Sequence, residues 1–159
     1  MYTHLIKTVN TIDSHTLLVI FQDGTEKTYD IRQLYDDYPC FKLFEEEPSL
    51  FEQVKLFGNS GYGIYWNDDL DLSANELWRS GIPTGIVHEI SDMEALAVNL
   101  TYARASLNMS QVELAEITGI AQGDICKIER CQANPTFKTL KRLADAMNMR
   151  LKIEFVPKE

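Results

Sequence analysis

Between Ser91 and Met147 the sequence is punctuated so closely that this stretch can only fold as a bundle of short helices. Ser91-Asp92-Met93-Glu94 has the form of a capping box, in which a serine and a glutamate satisfy each other's amides at a helix start. Behind it Met93, Leu96, Ala97, Leu100, Ala103 and Leu107 recur at helical intervals on one face. A second box, Ser110-Gln111-Val112-Glu113, opens a helix carrying Leu114, Ala115 and Ile117, and Gly119 supplies a turn. A third helix is expected from about Gln122 to Arg130, with Ile125 and Ile128 inward. Asn134-Pro135-Thr136 then stops the chain and caps a fourth helix, with Phe137, Leu140, Leu143, Ala144 and Met147 facing the core.

The middle of this pattern carries the functional signal. Ala115 is small where a second helix must cross closely, and Gly119, four residues on, can take the positive φ of a tight turn. Two short helices joined in this way form a helix-turn-helix, whose second helix is sized for the major groove. The spacing alone also fits a helical hairpin with no role in DNA binding. The ordered residues Leu107-Asn108-Met109-Ser110-Gln111-Val112-Glu113-Leu114-Ala115, Gly119-Ile120-Ala121-Gln122, Ile125, Ile128-Glu129 and Asn134-Pro135-Thr136 resemble the phage-repressor-like helix-turn-helix family, in register from Leu96 to Met147.

The resemblance implies roles position by position. Gln111 would hydrogen-bond a DNA phosphate, and Ala121, Gln122, Gly123 and Lys127 would form the groove-facing surface of the third helix. Gln122 could read adenine through its amide, and Lys127 could donate to guanine or phosphate. Asn134, Thr136 and Lys138 fall where phosphate contacts are common, whereas Lys141 and Arg142 read as a solvated helix face. Arg104 and Glu129 match a pair that forms an internal salt bridge in the family. Asp124 could accept from cytosine or cap the third helix, and the capping role is preferred. The sequence departs from the family in two places: Gly123 lies inside the recognition helix, and Cys131 stands where glycine is usual. A redox role for Cys126 or Cys131 has no nearby group to lower a thiol pKa.

After Met149 the alternation of Leu151, Ile153 and Phe155 with Arg150, Lys152 and Glu154 predicts a strand. Such a strand would join another sheet or pair across a two-fold axis. Helix-turn-helix antitoxins resemble this shorter arrangement.

The first part of the chain has a different character. Thr16–Phe21 and Thr25–Ile31 flank Asp23-Gly24 as a hairpin, and Val54–Phe57 and Tyr62–Trp66 flank residues 58–61 as a second. Ser49 with Glu52, and Ser73 with Glu76, mark helix starts. An α+β domain with an antiparallel sheet follows. Gly61-Tyr62-Gly63-Ile64-Tyr65-Trp66-Asn67-Asp68-Asp69-Leu70-Asp71-Leu72, with Phe21-Gln22-Asp23-Gly24, resembles a small bacterial domain of unknown function often encoded beside toxin–antitoxin genes. The expected organisation is this domain over residues 1–80, a linker over 81–92 where Gly81-Ile82-Pro83-Thr84-Gly85 breaks regular structure, and a helix-turn-helix domain with its strand over 93–159.

Charge divides the same way. Residues 1–90 hold 6 Lys and Arg against 15 Asp and Glu, whereas residues 91–159 hold 9 of each, so the whole net charge of −9 belongs to the first part. The scattered His4, His15 and His88 and the three cysteines give no metal or disulfide spacing. The run Asn67-Asp68-Asp69-Leu70-Asp71 fails the calcium-loop pattern and reads as a solvated turn. No nucleophile–base pair, phosphate loop or metal set points to an enzyme, and no cofactor is implied. The longest early apolar run, Leu17–Phe21, is too short for a membrane span, which gives a cytoplasmic expectation. The expected function is a transcriptional regulator or repressor that binds double-stranded DNA as a homodimer. The alternative is an antitoxin-like protein whose acidic domain binds a protein partner while the chain controls its own operon.

Overall fold

The computed structural model describes residues 4–58 and 61–157. Contacts divide the chain into two compact units that part between Ala95 and Leu96, and each is described by itself.

The N-terminal unit is α+β, built from two antiparallel sheets. Strand β2 (Thr16–Phe21) sits between β1 (Ile6–Thr11) and β3 (Thr25–Asp30), with β7 (Ile82–Val87) on the far side of β3. Its alternation explains its central place, since Leu17, Val19 and Phe21 all point inward and are fully buried. The predicted hairpin turns at Gly24, whose φ of 87° suits glycine. A side chain there would also collide with the backbone, because a Cβ would lie 2.2 Å from the His88 carbonyl oxygen.

The second sheet orders β4 (Lys55–Leu56), β5 (Gly63–Asn67) and β6 (Leu70–Ser73). Asn59 and Ser60, in the turn of the expected second hairpin, lie outside the described residues. Two single-turn helices, α1 (Leu43–Glu46) and α2 (Pro48–Phe51), bring Phe44 and Phe51 against Trp66, whose indole N–H donates to the Phe51 carbonyl at 2.9 Å. Burial of rings of this size contributes about 1.5–3 kcal/mol each, which makes this cluster the main apolar anchor of the unit. Helix α3 (Ala74–Ser80) starts where expected, with the Ser73 hydroxyl accepting from the Glu76 amide. The proposed Ser49 cap does not form; Pro48 at the first position opens α2 instead, needing no amide partner. The acidic run is a turn closed by the Asn67 side chain, which accepts from the Asp69 and Leu70 amides, both at 3.0 Å.

Strand β7 corrects the linker reading. Pro83 and Gly85 suggested broken structure, yet this is an edge strand, where a proline's missing donor faces away from the ladder. Its end is held by His88, whose amide donates to the Gly24 carbonyl and whose ring meets the nearly buried Glu26 carboxylate at 2.7 Å. That ring contact is the first cause of the lowered Glu26 pKa.

The C-terminal unit is an all-helical bundle. Helix α4 (Asp92–Ser106) precedes α5 (Gln111–Thr118), α6 (Gln122–Glu129) and α7 (Phe137–Ala146). Both predicted capping boxes are formed, Ser91 with Glu94 and Ser110 with Glu113. Leu100, Leu114, Ile125, Ile128, Leu143 and Met147 make the core. Phe137, expected inward, is 62% exposed, because as the first residue of α7 it precedes the turns that carry the core residues Leu143 and Met147. The strand expected after Met149 is also absent: residues 149–157 have no regular structure. The alternation is real, but a strand needs a neighbour to hydrogen-bond, and among the described residues none lies beside it. No described helix is long and apolar enough to cross a membrane.

Helices α4, α6 and α7 end alike, each with a left-handed residue: Asn108 (φ 52°), Cys131 (φ 58°) and Asn148 (φ 53°). At α6 the Cys131 amide returns to the Ile128 carbonyl and the Gln132 amide to the Lys127 carbonyl, the two bonds of a Schellman cap. Asparagine tolerates this conformation, whereas an ordinary side chain costs about 1–2 kcal/mol there. Cys131→Gly should therefore stabilise the C-terminal unit by about 1 kcal/mol, less the entropy glycine loses, with a higher urea midpoint at unchanged slope as the readout.

Candidate nucleic-acid interface

The C-terminal unit presents α6 between two fixed ends. Before it, Gly119 adopts φ 66° and its amide returns to the Ala115 carbonyl at 2.8 Å, closing α5 in the space the sequence allowed. The Thr118 hydroxyl donates to the Leu114 carbonyl and accepts from the Ile120 amide, so the turn is bonded on both sides of the glycine. Arg142 of α7 also donates to the Thr118 carbonyl. Its place on the surface of an amphipathic helix suggested a solvated face, and nothing local in the sequence indicated that it reaches the turn.

Beneath α6 lies a buried ion pair. Arg104 of α4 meets Glu129 through two bonds, Nε to Oε1 at 2.7 Å and Nη2 to Oε2 at 2.8 Å, and the two side chains are only 9% and 5% exposed. The remaining terminal nitrogen, Nη1, donates to the Met109 carbonyl at 2.7 Å, so one guanidinium ties α4, the following loop and α6.

The network continues to the surface. Gln111 donates to Glu129 Oε2 at 2.7 Å, and Gln122 donates to Gln111 Oε1 at 2.7 Å. Gln111 and Gln122 thus stand side by side, although eleven residues apart in sequence. Helix periodicity could not reveal this pairing, since it depends on how α5 crosses α6. Glu113, which caps α5, is held below the ordinary carboxylate range first by the Ser110 amide and then by its hydroxyl.

Ala121, Gln122, Gly123 and Lys127 all lie exposed at the start and along one side of α6, and a Cβ on Gly123 would meet open space. Asp124 does not cap α6; it stands in the first turn, 3.5 Å from Lys127, and both groups are largely exposed. Asn134, Thr136 and Lys138 are exposed at the connection to α7. Thr136 is engaged there as the N-cap, accepting from the Thr139 amide at 3.2 Å. Asn134 and Thr136 share with Gly119 and Ala121 the wall of an open concavity of about 410 Å³. Cys126 is half-buried and Cys131 exposed, and neither is in a disulfide.

Residues 100–152 match the family model described as helix-turn-helix. The C-terminal part is a helix-turn-helix domain. Residues 6–83 match a protein family of unknown function, DUF2442, which makes the N-terminal part a domain of that kind. No curated protein matches the sequence. A crystal structure of a candidate DNA binding protein from Nitrosomonas europaea aligns over 99% of this chain and 96% of its own, at 12% identity and a TM-score of 0.41. A helix-turn-helix domain points to DNA-binding regulation.

The ion pair under the helix-turn-helix sets its stability. Arg104→Ala would strand the Glu129 carboxylate in a nearly dry site, a change that typically costs about 3–5 kcal/mol. Denaturant melts followed by helical circular dichroism should show the C-terminal transition at a much lower midpoint. Gln111→Ala, which leaves the pair intact, should shift it far less.

Proposed function

We propose that the protein is a sequence-specific DNA-binding regulator, two copies of which read an operator with their α6 helices. The observation that carries this reading is the bonded series Arg104–Glu129–Gln111–Gln122, which runs from the core to the open face of α6. A free glutamine side chain samples many rotamers and loses that freedom on binding. Here Gln122 already spends one amide hydrogen on Gln111. Its other hydrogen and its carbonyl oxygen remain, the donor and acceptor that adenine N7 and N6 require.

Lys127 adds a charge to the same face, partly offset by Asp124, and Gly123 lets the backbone approach the duplex. Gln111, Ala121, Asn134, Thr136 and Lys138 would supply phosphate and rim contacts around it. One α6 reads only a few base pairs, so two half-sites about one helical turn apart give the affinity a single copy lacks.

A second reading is supported by the charge division. The first 90 residues carry all of the excess acid, and β7 leaves Ile82, Ile86 and Val87 exposed on an edge strand. A basic protein partner, as for an antitoxin, would fit that unit and is compatible with DNA binding by the other. Copurification with a neighbouring gene product would support it.

The decisive experiment is binding to the DNA upstream of the gene, against a scrambled duplex, across a salt series. Preferential binding that weakens with salt is expected. Gln122→Ala should reduce the preference by about 1–3 kcal/mol and relax it at one base position, whereas Lys127→Ala should weaken all sequences alike or lower the salt slope by about one. Equal affinity for both duplexes at every salt concentration would refute the reading.

A further inference from the structure

The segment after Met149 is self-complementary. Leu151-Lys152-Ile153-Glu154-Phe155 alternates apolar and charged residues about Ile153, with a positive charge on one side of the centre and a negative charge on the other. In an antiparallel pair of two copies centred on Ile153, Lys152 of each lies opposite Glu154 of the other. Leu151 then lies opposite Phe155, and Ile153 opposite itself. Both charge pairs fall on one face of the ribbon and all the apolar residues on the other.

Lys152 and Glu154 extend to the same side, where Nζ and Oε2 are 2.7 Å apart. Phe155 is 99% exposed, and Ile153 and Val156 are exposed with it. A bare aromatic ring leaves unburied the area that most favours association.

A place for that ring exists in the same unit. Leu96, Leu100 and Ala103 of α4, Leu140 of α7 and Met147 at its end, together with Leu151 and Lys152, line an open groove of about 380 Å³. Because Leu151 belongs to the groove wall and would face Phe155 of the second copy, the ribbon register itself delivers that ring to the groove.

We propose that residues 151–155 are the joint of a homodimer, pairing across a two-fold axis as an antiparallel ribbon centred on Ile153, with each Phe155 seated in the α4–α7 groove of the other copy. The proposal rests on the dimeric reading above and supplies its interface. A two-stranded ribbon is marginal alone, and the seated aromatic rings are what hold it. The absence of regular structure over residues 150–157 in one copy follows from the same cause.

The register makes a demand that no generic sticky tail would make. Light scattering across a dilution series of the full chain should give a dimer. Lys152→Glu alone and Glu154→Lys alone each place like charges opposite one another twice, and each should weaken dimerisation about tenfold or more. Mixing these two variants should restore dimers, since each presents to the other the sign it lost. The double variant carrying both changes should dimerise as the unaltered chain does. Phe155→Ala should weaken dimers while leaving the helical melt in place. A monomeric unaltered chain, dimers indifferent to the single reversals, or no restoration on mixing would each overturn the proposal. The outcome is separable from operator binding: a dimer that obeys the charge rule but prefers no DNA keeps the joint and removes the function. A DNA-binding dimer that ignores the rule does the reverse.

Discussion

The helix-turn-helix depends on one buried charge pair. Arg104 and Glu129 stand 25 residues apart in sequence and meet with both bonds of the guanidinium fork satisfied. An apolar pair in the same place could pack as firmly. It could not supply the carboxylate oxygen that receives Gln111 and, through Gln111, sets Gln122. The pair therefore does more than stabilise: it carries orientation from the core of the bundle to amides at its surface. The same chemistry that makes the pair costly to break makes the surface array rigid.

The two departures from ordinary helix chemistry flank this array. Gly123 sits within α6 at a cost of about 1 kcal/mol relative to alanine, and Cys131 occupies a left-handed cap that glycine would take without strain. Neither is needed to build the bundle, whose core residues and capping boxes suffice. Local compromises concentrated on one helix are expected where a surface has a task besides folding. Arg142 fits the same logic, since it ties α7 to the turn that aims α6.

What was legible in the sequence were features set by near neighbours. The capping boxes at Ser91 and Ser110, the turn at Gly119, the hairpin at Gly24 and the Ser73 helix start each involve residues no more than four apart, and each formed. What was not legible depended on distant partners. Strand β7 looked broken because Pro83 and Gly85 are read without knowing that the strand lies at an edge. Strand β6 looked like part of an acidic turn, because its alternate residues Leu70 and Leu72 become informative only once β5 stands beside them. The Gln111–Gln122 contact needs a crossing angle, and Phe137 needs the depth of the core at the end of α7. For the tail the pattern was visible, but a strand needs a neighbour to hydrogen-bond, and among the described residues none lies beside it.

The charge division joins these observations. Residues 91–159, with 9 basic and 9 acidic residues, would attract duplex DNA weakly, and the whole net charge of −9 on the 90 residues before them would weaken that attraction further. In the proposed regulator, non-specific binding is thereby suppressed, and occupancy of a site has to come from directed bonds. Few such bonds are available on one short α6 with a glycine at its second position. Doubling them through a two-fold partner is the economical remedy, because the second half-site is then reached at high effective concentration. A chain built this way would tolerate weak individual contacts provided they are pre-oriented, which is the property the buried Arg104–Glu129 pair confers on Gln111 and Gln122.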